Sequence, residues 1–568
     1  MDRTAWIVVI LCIVGLVLWE IYISRQMPHR AAAAPTSSAA PLSPTPIAEV
    51  TPAPSPLPMA TPPPVAAPFE EKIETLRNAD LELHLTNRGG GIAEAVLLNH
   101  KAEGDRRVTL NSRERMPIGA IVDDPAAPVL PEYKMSRQGE AVQLEHVTPD
   151  RIVVRKKFFF QKPELKDNFV AELDVDLENG SGQPYAKPAY FVALGSAVPL
   201  HPKDYPSFTR LAWCIGGRTK GIDVGWFGGG SGFLGMGQRA AQPFYQQSVT
   251  GAEWVGVSNQ FFTTLFAPLN GKAGSVWGRR FDVTQWSEQK AFGIEGALAM
   301  PGFQIGPGQT YSARFEVYVG PKIYHRLAGL EHNEAEVMDF GMFKIVCQFL
   351  LNFMNLLHSW LKDYGLAILA LTTVIKLVLW PIQNKANRSM RQMSALSPKM
   401  QELREKYKDD PTRMNQEVMK LYKDYGINPV GGCLPMLIQI PIFFGLFKML
   451  GQAVELRNAK FLWVKDLSQP DTVAHLPVLG WPVNIIPLCM AATQIWLMAM
   501  TPKTGDATQR RVMMFTPLIF LFICYNFAAA LALYYTAQNL FSILQFYQNK
   551  RQPPPTLEKK LPPGKRKR

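Results

Sequence analysis

Apolar and polar positions alternate along this 568-residue chain between about Phe69 and Val319. Leu81-Glu82-Leu83-His84-Leu85 is one instance; Val170–Leu177 and Tyr311–Val319 are others. A period of two sends successive side chains to opposite faces of a strand. These segments therefore predict half-buried antiparallel strands, separated by Gly, Asn and Pro turns. About 250 residues of this kind suffice for an all-β sandwich with a sizeable core.

Helical signals take over afterwards. Phe340–Lys362 is apolar but striped, with Lys344, Gln348, Asn352, Asn355, Ser359 and Lys362 recurring every three or four positions. One polar face on an oily helix fits an element lying in the membrane interface. Long apolar runs follow at Gly365–Ile382, about Ile427–Leu450, Trp481–Met500, Val512–Phe527 and Leu531–Gln548, and another, broken only by Glu20 near its end, precedes the strands at Ala5–Ile23. Six membrane spans are predicted. Between them, Gln383–Tyr425 carries two narrow seams, Met393-Leu396-Met400-Leu403-Tyr407 and Met414-Val418-Leu421-Tyr425. Two short helices joined at Asp409-Asp410-Pro411 make a helical hairpin.

Charge orients these spans. The net charge of +13 is concentrated in the hairpin, with ten Lys/Arg against six Asp/Glu, and in the tail Asn549–Arg568, with eight basic residues against Glu558 alone. Basic loops favour the cytoplasmic side. That rule places the hairpin, the tail and Thr501–Arg511 inside, and the loop Gly451–Gly480 and the β region outside. The N-terminus is then cytoplasmic. Ala5–Ile23 is longer than the usual signal-peptide core of about 7–15 residues, so it predicts an uncleaved anchor. Met27–Pro68, dense in Pro, Ala, Ser and Thr, reads as an extended spacer.

Candidate chemistry is sparse. Six scattered cysteines form no CxxC or His/Cys cluster, so neither a disulfide framework, a metal site nor a cofactor is expected. The glycine-rich Gly225–Gly237 lacks the Gly-Lys-Ser/Thr ending of a phosphate loop and reads as a plain loop. Lys376 is different. It lies inside an apolar run of about eighteen residues, roughly 27 Å as a helix, where a central cation costs about 2.5–3.5 kcal/mol. Thr372 and Thr373 share its helix face. Either the ammonium snorkels toward Gln383 and Asn384, or it has a task.

The segment Asn428–Phe444 (NPVGGCLPMLIQIPIFF) resembles the third span of YidC-type membrane protein insertases. The Lys376–Pro381 spacing, Val454-Glu455-Leu456-Arg457, Pro517, and Ala530–Tyr535 leading to Asn539 resemble that family in the same order. The match spans about Asp339 to Gln548, and the region before it resembles the periplasmic β-supersandwich of Gram-negative members. The resemblance implies a non-enzymatic insertase and chaperone of the inner membrane, acting alone or with the Sec translocon. Its partners would be nascent membrane proteins, membrane lipids, and ribosomes docking at the hairpin and tail. Such proteins offer a hydrophilic groove with one positive residue, usually arginine, in the second span. The matching position is Lys376, and lysine keeps the charge but not the planar fork. The implied groove lining is Lys376, Thr372, Gln439, Tyr534, Tyr535, Gln538 and Asn539, helix–helix hydrogen bonds being the alternative for each. Substrate would slide along Met436, Ile440, Phe443, Met514 and Pro517, with lipid-facing packing as the alternative.

The expected partition is an anchor (1–26), linker (27–68), periplasmic β domain (69–338), interfacial helix (339–362), five-helix insertase core with its hairpin (363–548, hairpin 384–425) and basic tail (549–568). The rival function is a solute transporter with an external ligand-binding domain, but no paired repeats support it. A membrane-embedded enzyme is a further option, and no HExxH, GxSxG or paired intramembrane carboxylate is found for one.

Overall fold

The computed structural model describes residues 69–161, 167–202, 204–230, 239–284, 290–427, 434–476, 480–501 and 507–551. The expected anchor and linker, the tail beyond residue 551, and the side chains of Met436 and Met514 lie outside the described residues. So do parts of the Gly225–Gly237 loop, the Asn428–Phe444 motif and the Thr501–Arg511 loop.

Alternation produced strands where it was expected. Leu81, Leu83 and Leu85 are fully buried while Glu82 and His84 between them are half-buried. Ile73–Arg77, Leu81–Thr86, Gly91–Lys101 and Arg107–Leu110 make a four-stranded antiparallel sheet in chain order. A nine-stranded sheet is built around Thr310–Pro321, which pairs with Val170–Asn179 on one side and Phe262–Pro268 on the other. A five-stranded sheet is built around Tyr185–Ala197 and Ala291–Ile305. It packs on the nine-stranded sheet through paired glycines. A Cβ at Gly278 or Gly296 would lie 2.8 or 3.0 Å from Leu211 of the facing sheet, so glycine at both positions gives that leucine room.

One inward position of this β region carries a cation. Ile152, Val154, Lys156 and Phe158 all point into the core from one strand. The Lys156 ammonium donates to the carbonyls of Gly89 (2.9 Å), Gly90 (2.8 Å) and Gly119 (3.1 Å) and lies 4.6 Å from the Tyr133 ring centre. All three glycines have positive φ (71°, 60° and 81°), which turns their carbonyls toward one point. Burial pushes the Lys156 pKa down. Three carbonyl acceptors nonetheless need three N–H donors, which only the protonated amine has.

Among the described residues, eight helices of ten or more residues follow: α1 (Lys344–Leu361), α2 (Tyr364–Ala395), α3 (Ser397–Lys406), α4 (Pro411–Asp424), α5 (Leu434–Leu450), α6 (Ile485–Met500), α7 (Ala507–Cys524) and α8 (Ala529–Lys550). Asp363 caps α2 by accepting from Leu366 N at 2.8 Å, and Asp410 caps α4 through Arg413 N at 2.9 Å. Among the described helices, α2 alone is long and apolar enough to cross a membrane unaided, while α6 and Leu437–Leu450 of α5 are apolar but shorter.

Two expectations change in detail. The two-faced helix has three faces. On α1, Cys347, Leu350, Leu351 and Met354 are buried against the bundle, while Met342 just before it and Ile345, Phe349 and Trp360 within it are exposed. The polar stripe runs between these two apolar surfaces. The first hairpin seam is not one helix either: α2 continues through Pro381 to Ala395, and the chain breaks at Leu396, where Pro398 enters the next first turn. The seam itself holds. Leu396, Met400, Tyr422 and Ile427 form a buried cluster with Met393, Val418, Leu421 and Tyr425 against it.

The β region is hydrogen-bonded to the loop that follows α5. Gln260 donates to Gly451 O (2.8 Å), Lys322 to Gln452 Oε1 (3.1 Å) and Arg457 to Lys101 O (2.7 Å). His100, beside Phe262 and Phe169, lies at this junction. Burial, then the Arg457 charge, lowers its pKa from 6.5 to about 4. The folded state therefore keeps His100 neutral where the unfolded chain protonates it. The stability this contributes is full above pH 6.5 and is lost as pH falls toward 4. We expect the melting temperature of the full chain to drop over that window, and less so for His100→Phe. An identical acid dependence in both proteins would contradict the assignment.

Candidate functional site

Every polar residue of the site sits on a helix, and α8 supplies four of them. Its positions 538, 542, 545 and 549 are spaced four, three and four residues apart, which lines up one face. Ser542 Oγ accepts from Lys376 Nζ at 2.7 Å and donates to Gln538 O at 2.9 Å. Gln439 Nε2 of α5 donates to Gln538 Oε1 at 3.0 Å. One and two turns further along, Gln545 donates to Trp380 O (3.3 Å) and Asn384 Oδ1 (2.8 Å), and Asn549 donates to the same Asn384 oxygen (3.1 Å). Arg391 Nη1 closes the series on Asn549 O at 2.8 Å. A polar ladder thus joins α2 to α8 from mid-span to the hairpin end.

Lys376 is 4% exposed. Its one described hydrogen bond is to a neutral hydroxyl, and among the described residues no carboxylate forms an ion pair with it. In low-dielectric surroundings such a cation attracts an anion far more strongly than it would in water. The ladder gives the ammonium a place to rest but leaves its charge uncompensated.

The other expected residues divide. Gln439 and Gln538 join the ladder beside Lys376. Thr372 is fully buried but bonds back to Ile368 O of its own helix at 2.7 Å. Asn539 faces the other way and donates to Met490 O (3.3 Å) and Thr493 Oγ1 (3.1 Å) of α6, so it joins helices. Tyr534 and Tyr535 are both buried, and among the described residues the Tyr535 hydroxyl has no hydrogen-bond partner. The Tyr535 ring packs edge-on against Phe443 of α5 (5.5 Å) and Phe520 of α7 (5.4 Å).

Of the expected slide, Ile440 and Phe443 are half-buried and Pro517 is buried. The outward apolar surface of α7 is Phe515, Leu518, Ile519 and Phe522 instead. Reading the sequence missed Ser542, Gln545 and Asn549, and named Asn384 only as a polar end toward which Lys376 could snorkel. The four-three-four spacing of polar residues through α8 was the available signal.

Known proteins resemble this chain in sequence. The family described as "60Kd inner membrane protein" matches residues 356–555, and the one described as "YidC periplasmic domain" matches residues 74–353. "Membrane protein insertase YidC" of Syntrophus aciditrophicus is 30% identical over 592 residues, covering 97% of this chain and 100% of that protein. The protein of the same description from Syntrophobacter fumaroxidans is 39% identical over 298 residues, 52% of this chain and 53% of its own length. A solved structure titled "Active YidC insertase crystal structure with the first transmembrane domain resolved" aligns with 85% of this chain and 95% of its own, at 18% identity and a TM-score of 0.34.

Proposed function

Because the chain belongs to the YidC family of membrane protein insertases, we propose that it inserts substrates through a groove whose working charge is Lys376. The family membership itself fixes the coarser facts. The protein is an insertase of newly made membrane proteins, located in the inner membrane, with a β-rich periplasmic domain and a helical membrane core.

The carrying observation is an almost fully buried ammonium whose described partner is a hydroxyl. A substrate bearing a short acidic flank beside an apolar segment supplies the missing anion. Gln439, Gln538 and Tyr535 line its path on the outer side, and the apolar segment lies along Ile440, Phe443 and the exposed face of α7. Sliding past apolar side chains demands little specificity, which suits a protein that must accept many sequences. In the proposal Met436 and Met514 also contact the substrate, Pro517 is buried behind the exposed face of α7, and Thr372, Tyr534 and Asn539 hold the helices around it.

The proposed topology has six spans, five of them (α2, α5, α6, α7 and α8) forming the core, with both termini cytoplasmic. In it, residues 1–26 are the anchor, 27–68 the linker, 69–338 the periplasmic β-supersandwich, 339–362 the interfacial helix, 363–548 the core and 549–568 the basic tail. The basic hairpin and tail face the ribosome, and the protein works alone or beside the Sec translocon. No catalysis is assigned. A photo-crosslinker placed at Phe443 in the membrane-embedded chain is expected to capture ribosome-bound nascent membrane proteins. Capture of lipid alone would overturn the path.

A further inference from the structure

The loop between α5 and α6 carries an apolar turn that the insertion path does not use. Phe461 and Val464 exchange backbone hydrogen bonds of 3.0 and 2.9 Å, which leaves Leu462 and Trp463 as a two-residue tip. Leu462 is 74% exposed and has φ of +52°, a left-handed conformation that crowds the Cβ of any residue except glycine. Trp463 is 46% exposed, and its indole N–H donates to Asp471 Oδ2 at 3.1 Å. The backbone is thus held in an unfavourable form that presents two apolar side chains outward. Lys460 and Lys465 flank the tip, and both are exposed.

The position of this turn indicates its partner. The Phe461 ring rests on Gly365, where a Cβ would lie 2.1 Å from it. Gly365 belongs to the first turn of α2, the helix long enough to cross a bilayer. Trp360, 75% exposed near the end of α1, lies just before the same point in the chain. The tip therefore projects where the outer end of a span meets the headgroups. Leucine suits the acyl boundary, indole the interface, and two lysines the lipid phosphates. A protein-binding surface would have no need to sit at that depth or to bracket its apolar centre with cations.

We propose that the Lys460–Lys465 turn is a membrane anchor that dips Leu462 and Trp463 into the outer leaflet and binds anionic phospholipid through its lysines. The inference rests on reading α2 as a span, and the test separates the two. The full chain would carry p-benzoylphenylalanine at position 462, at Val378 on the exposed face of α2, or at Val147 in the β region (67% and 55% exposed). Each would be irradiated in vesicles of phosphatidylethanolamine and phosphatidylglycerol. Lipid adducts at 378 and 462, at least tenfold above those at 147, are expected. Adducts at 378 with none at 462 overturn the anchor and leave the span intact; none at either overturns the span as well, and self-crosslinks from 462 in place of lipid also overturn the anchor. Lys460→Glu with Lys465→Glu should cut the 462 adduct several-fold in these vesicles and not in phosphatidylcholine. An unchanged yield in the anionic vesicles would remove the phosphate contact.

Discussion

Lys376→Glu is expected to abolish rescue of a strain depleted of its own insertase, while Lys376→Arg restores growth and Lys376→Ala restores it only in part. The buried site explains the order. Glutamate would place a carboxylate 4% exposed among helices, where its partner Ser542 already donates to Gln538 O. It would repel an acidic substrate flank and carry the intramembrane cost of a charge, about 2.5–3.5 kcal/mol. Alanine removes attraction without adding repulsion. Arginine keeps the charge and adds donors in a rigid fork that can span both Ser542 and a substrate carboxylate. A tenfold loss of insertion rate corresponds to about 1.4 kcal/mol, and Lys376→Glu should exceed it. Equal rescue by all three variants would remove Lys376 from the mechanism and leave it as a structural tie between α2 and α8.

The largest effect on stability is expected at Lys156. Lys156→Met keeps the length and apolar stem but strands three carbonyls that the ammonium now satisfies. Each unsatisfied buried acceptor costs about 1–3 kcal/mol, offset in part because the charge no longer has to be buried. A net loss of about 3 kcal/mol in urea unfolding follows. The neighbouring Lys157 is exposed on the opposite face of the same strand. Lys157→Met should change stability by no more than about 0.5 kcal/mol. Similar small losses in both variants would show that the glycine carbonyls find other donors.

How much of this was legible in the sequence depended on the range of the interaction. Leu81–Leu85 and Tyr311–Val319 announced their strands because alternation is written within a few residues. The seam of Met393, Leu396 and Met400 was legible for the same reason, and only its break at Leu396 escaped. There Pro398 fits the first turn of a new helix as well as it would end an old one. Lys376 stood out because a lysine in an apolar run is conspicuous. Its partner did not, since whether Ser542 or Asn539 faces α2 is decided by how α8 is rotated in the bundle. Lys156 was illegible for the same kind of reason. Beside Lys157 it looks like a solvated strand residue, and the acceptors that admit it come from turns 37 to 67 residues away.

In the proposed mechanism the buried positive charge of Lys376 draws an acidic flank into the membrane core. It is tested most directly with the purified full chain in vesicles, offered a substrate with one apolar segment and a short N-terminal flank, either acidic or uncharged. Protection of that flank from external protease reports its crossing. The unaltered chain and Lys376→Arg are expected to translocate the acidic flank, Lys376→Glu to do so at least tenfold more slowly, and the uncharged flank to show a much smaller difference. Equal translocation of the acidic flank by Lys376→Glu and the unaltered chain would contradict this mechanism.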